Sequence, residues 1–363
     1  MDELVRDYPW TQAPLIAGAP MRLIAMAPLA VEVSRAGGLG FIGIGTDPTL
    51  LTPQLSHATR LLSANPIPST PASILPIGLG FLLHTHPLEP LLSALRTPPH
   101  PAAIWLFAPT SPAQLAEWTV AIRAATDAKT KIWIQVGSVA EAVEVVQQCE
   151  PDVLVVQGQD AGGHGLAQAA GLITLLPEVA DALAAVAARD TNSPEKQKAR
   201  PHLVAAGGIT EPRSLASALA LGASGAAMGT RLLATAEADI ARGYQDAVLR
   251  ASDGGASTVR SRVYDALRGT TGWPAQYGGR GIINASFRDW EKGVPEEENR
   301  KAYEESVKLG DKGWEGEAAR LTAYAGTGVG LVREVLGAGR VVRGVREEGL
   351  RCLVGAARRF ARL

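Results

Sequence analysis

Before residue 236, short runs of apolar, β-branched or small residues alternate with segments whose apolar positions recur at helical spacing. The runs are Pro14 to Ala19, Leu39 to Gly45, Leu75 to Leu83, Ala102 to Ala108, Lys131 to Val136, Val153 to Gln157, Leu203 to Ala206 and Gly225 to Met228. Between them lie Leu29 to Ala36, Leu50 to Leu62, Leu88 to Leu95, Ala113 to Ala125, Val139 to Cys149, Leu172 to Ala188 and Ser214 to Leu221. Ser111-Pro112 supplies a helix start, because serine accepts from an orphan N–H and proline suits the first turn. Strands that are apolar at consecutive positions are covered on both faces, which means a parallel sheet dressed with helices. Eight such units predict a closed (β/α)8 TIM barrel rather than an open doubly wound sheet.

After Thr235 the texture changes. The stretch from Ala236 to Tyr324 shows no βα unit, carries Trp273, Trp290 and Trp314, and is dense in charge from Glu291 to Arg320. The expected organisation is a barrel over 1–235, an inserted, mostly helical cap region over 236–324, and a C-terminal helical segment over 325–363 that returns to the barrel. Within the barrel, Thr191 to Arg200 reads as a polar surface loop.

The 363 residues are 46% hydrophobic, ample for a large core, and the formal net charge of -1 with 20% charged residues supplies no basic field for nucleic acid or an anionic membrane. Cys149 and Cys352 lie far apart with no metal spacing, as expected of thiols in a reducing compartment. The first residues lack the basic and apolar regions of a secretory signal, and no apolar run approaches a bilayer span. A soluble intracellular protein is expected, cytoplasmic or peroxisomal, since Ala361-Arg362-Leu363 has the small-basic-leucine form of a peroxisomal address.

Three glycine clusters bear on ligand binding. Gly38-Leu-Gly40-Phe-Ile-Gly43 matches a dinucleotide fingerprint but runs from a helix into a strand, so it reads as a helix end and a tight strand entry. Gly207-Gly208 and Ala227-Met228-Gly229-Thr230 fall at the C-terminal ends of strands seven and eight, where barrel enzymes bind phosphate on backbone N–H groups. Across the mouth, Ala19-Pro20-Met21 after the first strand can floor a flat ring. A ring at one end and a phosphate at the other is the shape of flavin mononucleotide (FMN).

The sequence VLVVQGQDAGGHG ends the sixth strand with amides, glycines and a histidine. Gly162 and Gly163 let the backbone turn beside a ligand, and Gln157 and Gln135 can hydrogen-bond it from strand ends. Imidazole is the side chain that ordinarily titrates near neutrality, which makes His164 the candidate proton acceptor. His84 and His86 in LLHTHP share a face if they continue a strand, but no third ligand stands nearby, and no metal is expected.

In order along nearly the whole chain stand AGAPM, IQVGSVAEA, VVQGQDAGGHG, AAGGI, AAMGTRLLAT, VRSRVYDALRG with GRGIIN, and AGTGVGLV. On these motifs the chain resembles the nitronate monooxygenases, formerly 2-nitropropane dioxygenases, which are FMN-dependent (β/α)8 enzymes. The resemblance implies that Met21, Gln157, Gly162, Gly208 and Ala227 to Thr230 contact FMN, with Gln135 and Gly207 as further contacts. It implies that His164 is the catalytic base, and that a nitronate or nitroalkane reacts with O2 to give a carbonyl compound and nitrite. Two departures stand out. Gly80 occupies the place where many relatives have asparagine, so one side-chain contact to the flavin is missing, and AAM before Gly229 replaces a glutamine-containing version. An NAD(P)H:quinone reductase or a flavin enoyl-thioester reductase uses a similar FMN barrel and is the rival reading. A non-catalytic flavin- or phosphate-binding protein is the reading from another class. The oligomeric state is open, a homodimer included.

Overall fold

The computed structural model describes residues 3–189 and 200–361. The expected polar loop at 191–200, apart from Arg200, and the last two residues of the terminal tripeptide lie outside the described residues. Eleven strands are present among the described residues: β1 Leu15–Gly18, β2 Leu39–Gly45, β3 Ile74–Leu82, β4 His100–Phe107, β5 Lys131–Val136, β6 Val153–Gln157, β7 Gly163–Leu166, β8 His202–Ala206, β9 Gly225–Met228, β10 Thr258–Ser261 and β11 Tyr277–Ile282.

Eight of these strands close a parallel barrel in the order β1-β2-β3-β4-β5-β6-β8-β9. Closure is made by β9 on β1, with Leu15 opposite Gly225 and Gly18 opposite Met228. These are the eight runs expected from the sequence. Their consecutive apolar residues are buried because one side chain faces the barrel interior and the next faces the surrounding helices.

Inside the barrel, Trp105 stacks on Trp133 at 5.7 Å, and Phe41 packs against both at 5.1 and 5.0 Å. Each buried ring contributes about 2–3 kcal/mol. The Trp133 Nε1–H donates to the Tyr8 hydroxyl at 2.7 Å, so the N-terminal segment is tied to this interior.

The glycine run at 38–43 has the packing role expected for it. A Cβ on Gly40 would lie 1.9 Å from the carbonyl oxygen of Ala30, so β2 and the helix Ala27–Arg35 approach as closely as they do only through glycine. The C-terminal helix Ala338–Phe360 packs on the helices Pro212–Ala220 and Ala27–Arg35. Its buried Arg346 donates to the carbonyls of Ala36 at 2.9 Å and Gly37 at 2.7 Å.

The region 236–324 contains helices, among them Arg242–Arg250, Val263–Arg268 and Glu296–Lys308. It also contains β10 and β11, which the sequence reading does not anticipate. These two strands form an antiparallel sheet with β7 in the order β10-β11-β7. The physical reason is compositional: Gly-His-Gly-Leu and Tyr-Gly-Gly-Arg-Gly-Ile have no strand-like period, and long-range pairing makes them strands. The consequence for the site is direct, because β11 places Gly279 opposite His164.

Candidate active site

A cavity of about 580 Å³ opens at the C-terminal ends of the barrel strands. From the barrel it is lined by Ala19, Pro20 and Met21 after β1, by Gly80 in β3, Gln135 in β5, Gln157 in β6, Gly207 and Gly208 after β8, and Ala227, Gly229 and Thr230 around the end of β9. Gly162, Gly163 and His164 line it as well. Met228 does not: it is fully buried, and strand alternation turns its side chain away from the face that Ala227 presents. Its carbonyl accepts from the N–H of Ala19, tying β9 to the turn after β1.

The floor and one wall are held by defined contacts. Gln135 accepts from Trp105 Nε1 at 3.0 Å, and the Gln157 amide donates to the His164 carbonyl at 3.3 Å. At Gly80, a Cβ would stand 2.2 Å from the Cβ of Pro20. The proline ring therefore takes the place next to the strand where a larger residue would project, and no side-chain contact to a ligand comes from this position.

On the β8–β9 side, the N–H groups of Gly208, Gly229 and Thr230 have no acceptor among the described residues. Gly207 and Gly208 adopt φ of +95° and +75°, a region that side-chain-bearing residues avoid. The hydroxyl of Thr210, on the same rim, is buried without a partner among the described residues. Three free amides and an orphan hydroxyl are the kind of donors from which an anion cradle is built. From the far side it is closed by Gly326, whose N–H donates to Thr230 Oγ1 at 2.9 Å.

His164 is held from three directions. Its Nε2 lies 2.9 Å from both carboxylate oxygens of Asp265, which is itself only 2% exposed. Asp265 also accepts from the Thr270 hydroxyl at 2.9 Å and the Tyr324 hydroxyl at 3.3 Å. Burial, then the Asp265 charge, pushes the Tyr324 phenol well above its ordinary range, so it stays protonated and donates. The indole of Trp273 stacks on the imidazole at a centroid distance of 3.7 Å, and the Tyr324 ring meets it edge-on at 5.3 Å. The other ring nitrogen, Nδ1, has no partner among the described residues and is not buried.

The backbone that carries His164 is clamped by Arg260 of β10. Its guanidinium donates to the carbonyls of Ala161 at 2.7 Å, Gly163 at 2.9 Å and Gly278 at 2.6 Å. Arg280 of β11 adds a bond to the carbonyl of Gln159 at 3.2 Å.

Two further cations, Arg22 and Arg268, line the cavity with no carboxylate of the described residues within ion-pair distance. Burial, then the charge of Arg268, lowers the pKa of Arg22. This pair brings two positive charges to the mouth, where Asp239 is the lining acid.

Sequence reasoning places His164 and the glycines but misses Asp265, Trp273, Tyr324, Thr210 and the arginines. Asp265 carries one readable signal, an acid within the apolar stretch Val263-Tyr-Asp-Ala-Leu267. An acid in such a run is buried and so needs a partner. His84 and His86 lie beyond the end of β3, not on it. His86 packs edge-on against Phe81, and His84 lies against Trp273. Among the described residues no group of three or more His, Cys, Asp or Glu is arranged to hold a metal ion.

A closed (β/α)8 barrel with a carboxylate-paired histidine over a cavity at its C-terminal mouth is the architecture of a barrel enzyme. Comparison with known proteins gives the family. Residues 114–270 match the family model described as nitronate monooxygenase. The chain is 48% identical to nitronate monooxygenase npaC of Metarhizium robertsii over 95% of this chain and 93% of that one. It is 37% identical to a nitronate monooxygenase of Neurospora crassa over 94% and 90%. The chain belongs to the nitronate monooxygenase family. In fold it resembles FabK from Thermotoga maritima (TM-score 0.71, 22% identity, 99% of both chains). It resembles equally the nitroalkane oxidase of Streptomyces ansochromogenes (TM-score 0.70, 21% identity, 98% of this chain and 99% of that one).

Proposed function

We propose that this enzyme binds FMN and oxidises alkyl nitronates, and nitroalkanes after deprotonation, with O2 to a carbonyl compound and nitrite. The observation that carries this reading is the position of His164. With one ring nitrogen free of partners among the described residues, it lines the same cavity as the three free amides and the orphan hydroxyl.

Gly208, Gly229, Thr230 and the Thr210 hydroxyl would hold the phosphate, while Ala19, Pro20 and Met21 would lie against the ring and Gln135 and Gln157 would face its polar edge. When bound, the flavin supplies electron acceptance and reactivity with O2. The protein's part is binding, orientation and one proton transfer. His164 takes the α-proton of a neutral nitroalkane on Nδ1, a step that a preformed nitronate does not need. Arg22 and Arg268 favour an anionic substrate at the mouth, and Trp273 with Tyr324 narrows access for water.

The visible spectrum of the purified protein tests the cofactor, and aerobic nitrite release from a nitronate tests the reaction. A flavin spectrum with nitrite formation is expected, as is loss of nitroalkane but not nitronate turnover in His164→Asn. A colourless protein that cannot be reconstituted with FMN overturns the proposal. Rapid anaerobic bleaching by NADH with no turnover of nitronate would instead mark a reductase.

A further inference from the structure

The segment VYDALRG, of which the proposed reaction uses only Arg268, contains the hydrogen-bond partner of the His164 ring. Asp265 lies on the helix Val263–Arg268, outside the barrel and 101 positions along the chain from the histidine. Both of its oxygens stand 2.9 Å from Nε2. Two hydroxyls, of Thr270 and Tyr324, donate to the same carboxylate. A carboxylate that accepts from neighbouring hydroxyls is itself an acceptor toward the imidazole, so the hydrogen on the ring belongs on Nε2. The lone pair is then on Nδ1, the nitrogen with no partner among the described residues. Trp273 adds the remaining constraint: its indole plane is 3° from parallel to the imidazole and sets the tilt of the ring.

We propose that Asp265 is a positioning residue that fixes His164 as the Nε2–H tautomer and so makes Nδ1 the proton acceptor. The inference deepens the proposed nitroalkane deprotonation and rests on it for its kinetic consequence, though not for the tautomer itself. In the step concerned, the α-carbon–hydrogen bond breaks and the proton forms a bond with Nδ1. The electron pair stays on the substrate as the nitronate. The ring becomes a cation with Nε2–H still donated to Asp265, whose negative charge compensates it. Nothing is oxidised in this step.

The test has two readouts. In protein labelled with 15N at its six histidines, long-range proton–nitrogen spectra recorded without substrate report which nitrogen of His164 carries hydrogen. The native protein is expected to show Nε2–H. In Asp265→Asn, the amide can donate to Nε2, so the proton is expected to move to Nδ1. In steady-state kinetics, Asp265→Asn should lower kcat on a neutral nitroalkane by about 10²–10⁴-fold. Turnover of the preformed nitronate should change by less than about threefold, since it needs no base. Asp265→Glu should recover part of the nitroalkane activity, and FMN affinity should be unchanged in both variants.

Nδ1–H in the native protein overturns the proposal without requiring any variant to fold. Equal losses on nitroalkane and nitronate also overturn it, because they would assign Asp265 a purely structural role. If the native enzyme turns over neither substrate, the functional reading fails, while the tautomer still decides the role of the pair.

Discussion

Trp273 lies flat on His164, with ring centroids 3.7 Å apart and planes 3° from parallel. The indole also meets His84 at 4.5 Å, so one side chain from the 269–276 connection fills the space between two imidazoles at the mouth. In the proposed reaction, a substrate whose tail runs along this side of the mouth would share that space. Trp273→Ala is therefore expected to raise kcat/KM for a long-chain nitronate relative to a two-carbon one by about tenfold, the order of one or two methylenes in an apolar pocket. Steady-state kinetics over a chain-length series checks this, and an unchanged ratio would remove Trp273 from the specificity argument.

The Arg260 guanidinium substitutes for a stretch of sheet. It satisfies the carbonyls of Ala161, Gly163 and Gly278 at once, in a geometry that needs a planar fork. Burial, then the charge of Arg280, lowers its pKa to about 10, so it remains charged at neutral pH. Arg260→Lys should cost about 2 kcal/mol in urea unfolding, because carbonyls lose partners. Nitroalkane turnover should fall more than FMN affinity, since the clamp holds the His164 backbone.

Thr210 offers a probe of the anion cradle. Its buried hydroxyl has no partner among the described residues. Thr210→Val should weaken FMN binding by about tenfold, the worth of one hydrogen bond to a charged group, while Thr210→Ser retains it. Gly222 supplies a control: its φ is +98°, and a Cβ added there would meet nothing within 4 Å. Gly222→Ala should cost roughly 1 kcal/mol of stability with no change in FMN affinity. Fluorescence titration with FMN distinguishes the two effects.

Acid should destabilise the fold through its buried imidazoles. Burial lowers the pKa of His84, His86 and His100 below the ordinary 6.5, so the folded state holds them neutral where the unfolded chain binds protons. Their contribution is present above 6.5 and is lost as pH falls through the depressed folded values. Tm is expected to decline steadily from pH 7 to pH 5, and His86→Gln should flatten part of that decline. A flat Tm over this range would count against the burial argument.

The barrel is legible because its signal is local and repeated. Each strand run, such as Val153 to Gln157, is apolar at successive positions, and the following helix has its own period. The glycines after β8 and β9 are legible for a related reason: they stand where a strand must turn into a helix. Asp265, Tyr324 and Arg260 carry no such local mark. Their meaning depends on which residues the folded chain brings beside them.

By itself, then, the sequence determined the closed parallel barrel, its C-terminal mouth, and a histidine in the glycine-rich stretch that follows β6. Those follow from hydrophobic periodicity and glycine placement, which act over a few residues. Only the tertiary structure decided how that histidine is used. The partner of His164 is 101 positions away, the backbone beside it is gripped by an arginine of β10 that stands 97 positions from Gly163, and its ring is covered by an indole from a connecting loop. Long-range pairing and close packing create those contacts, and neither leaves a trace in local composition.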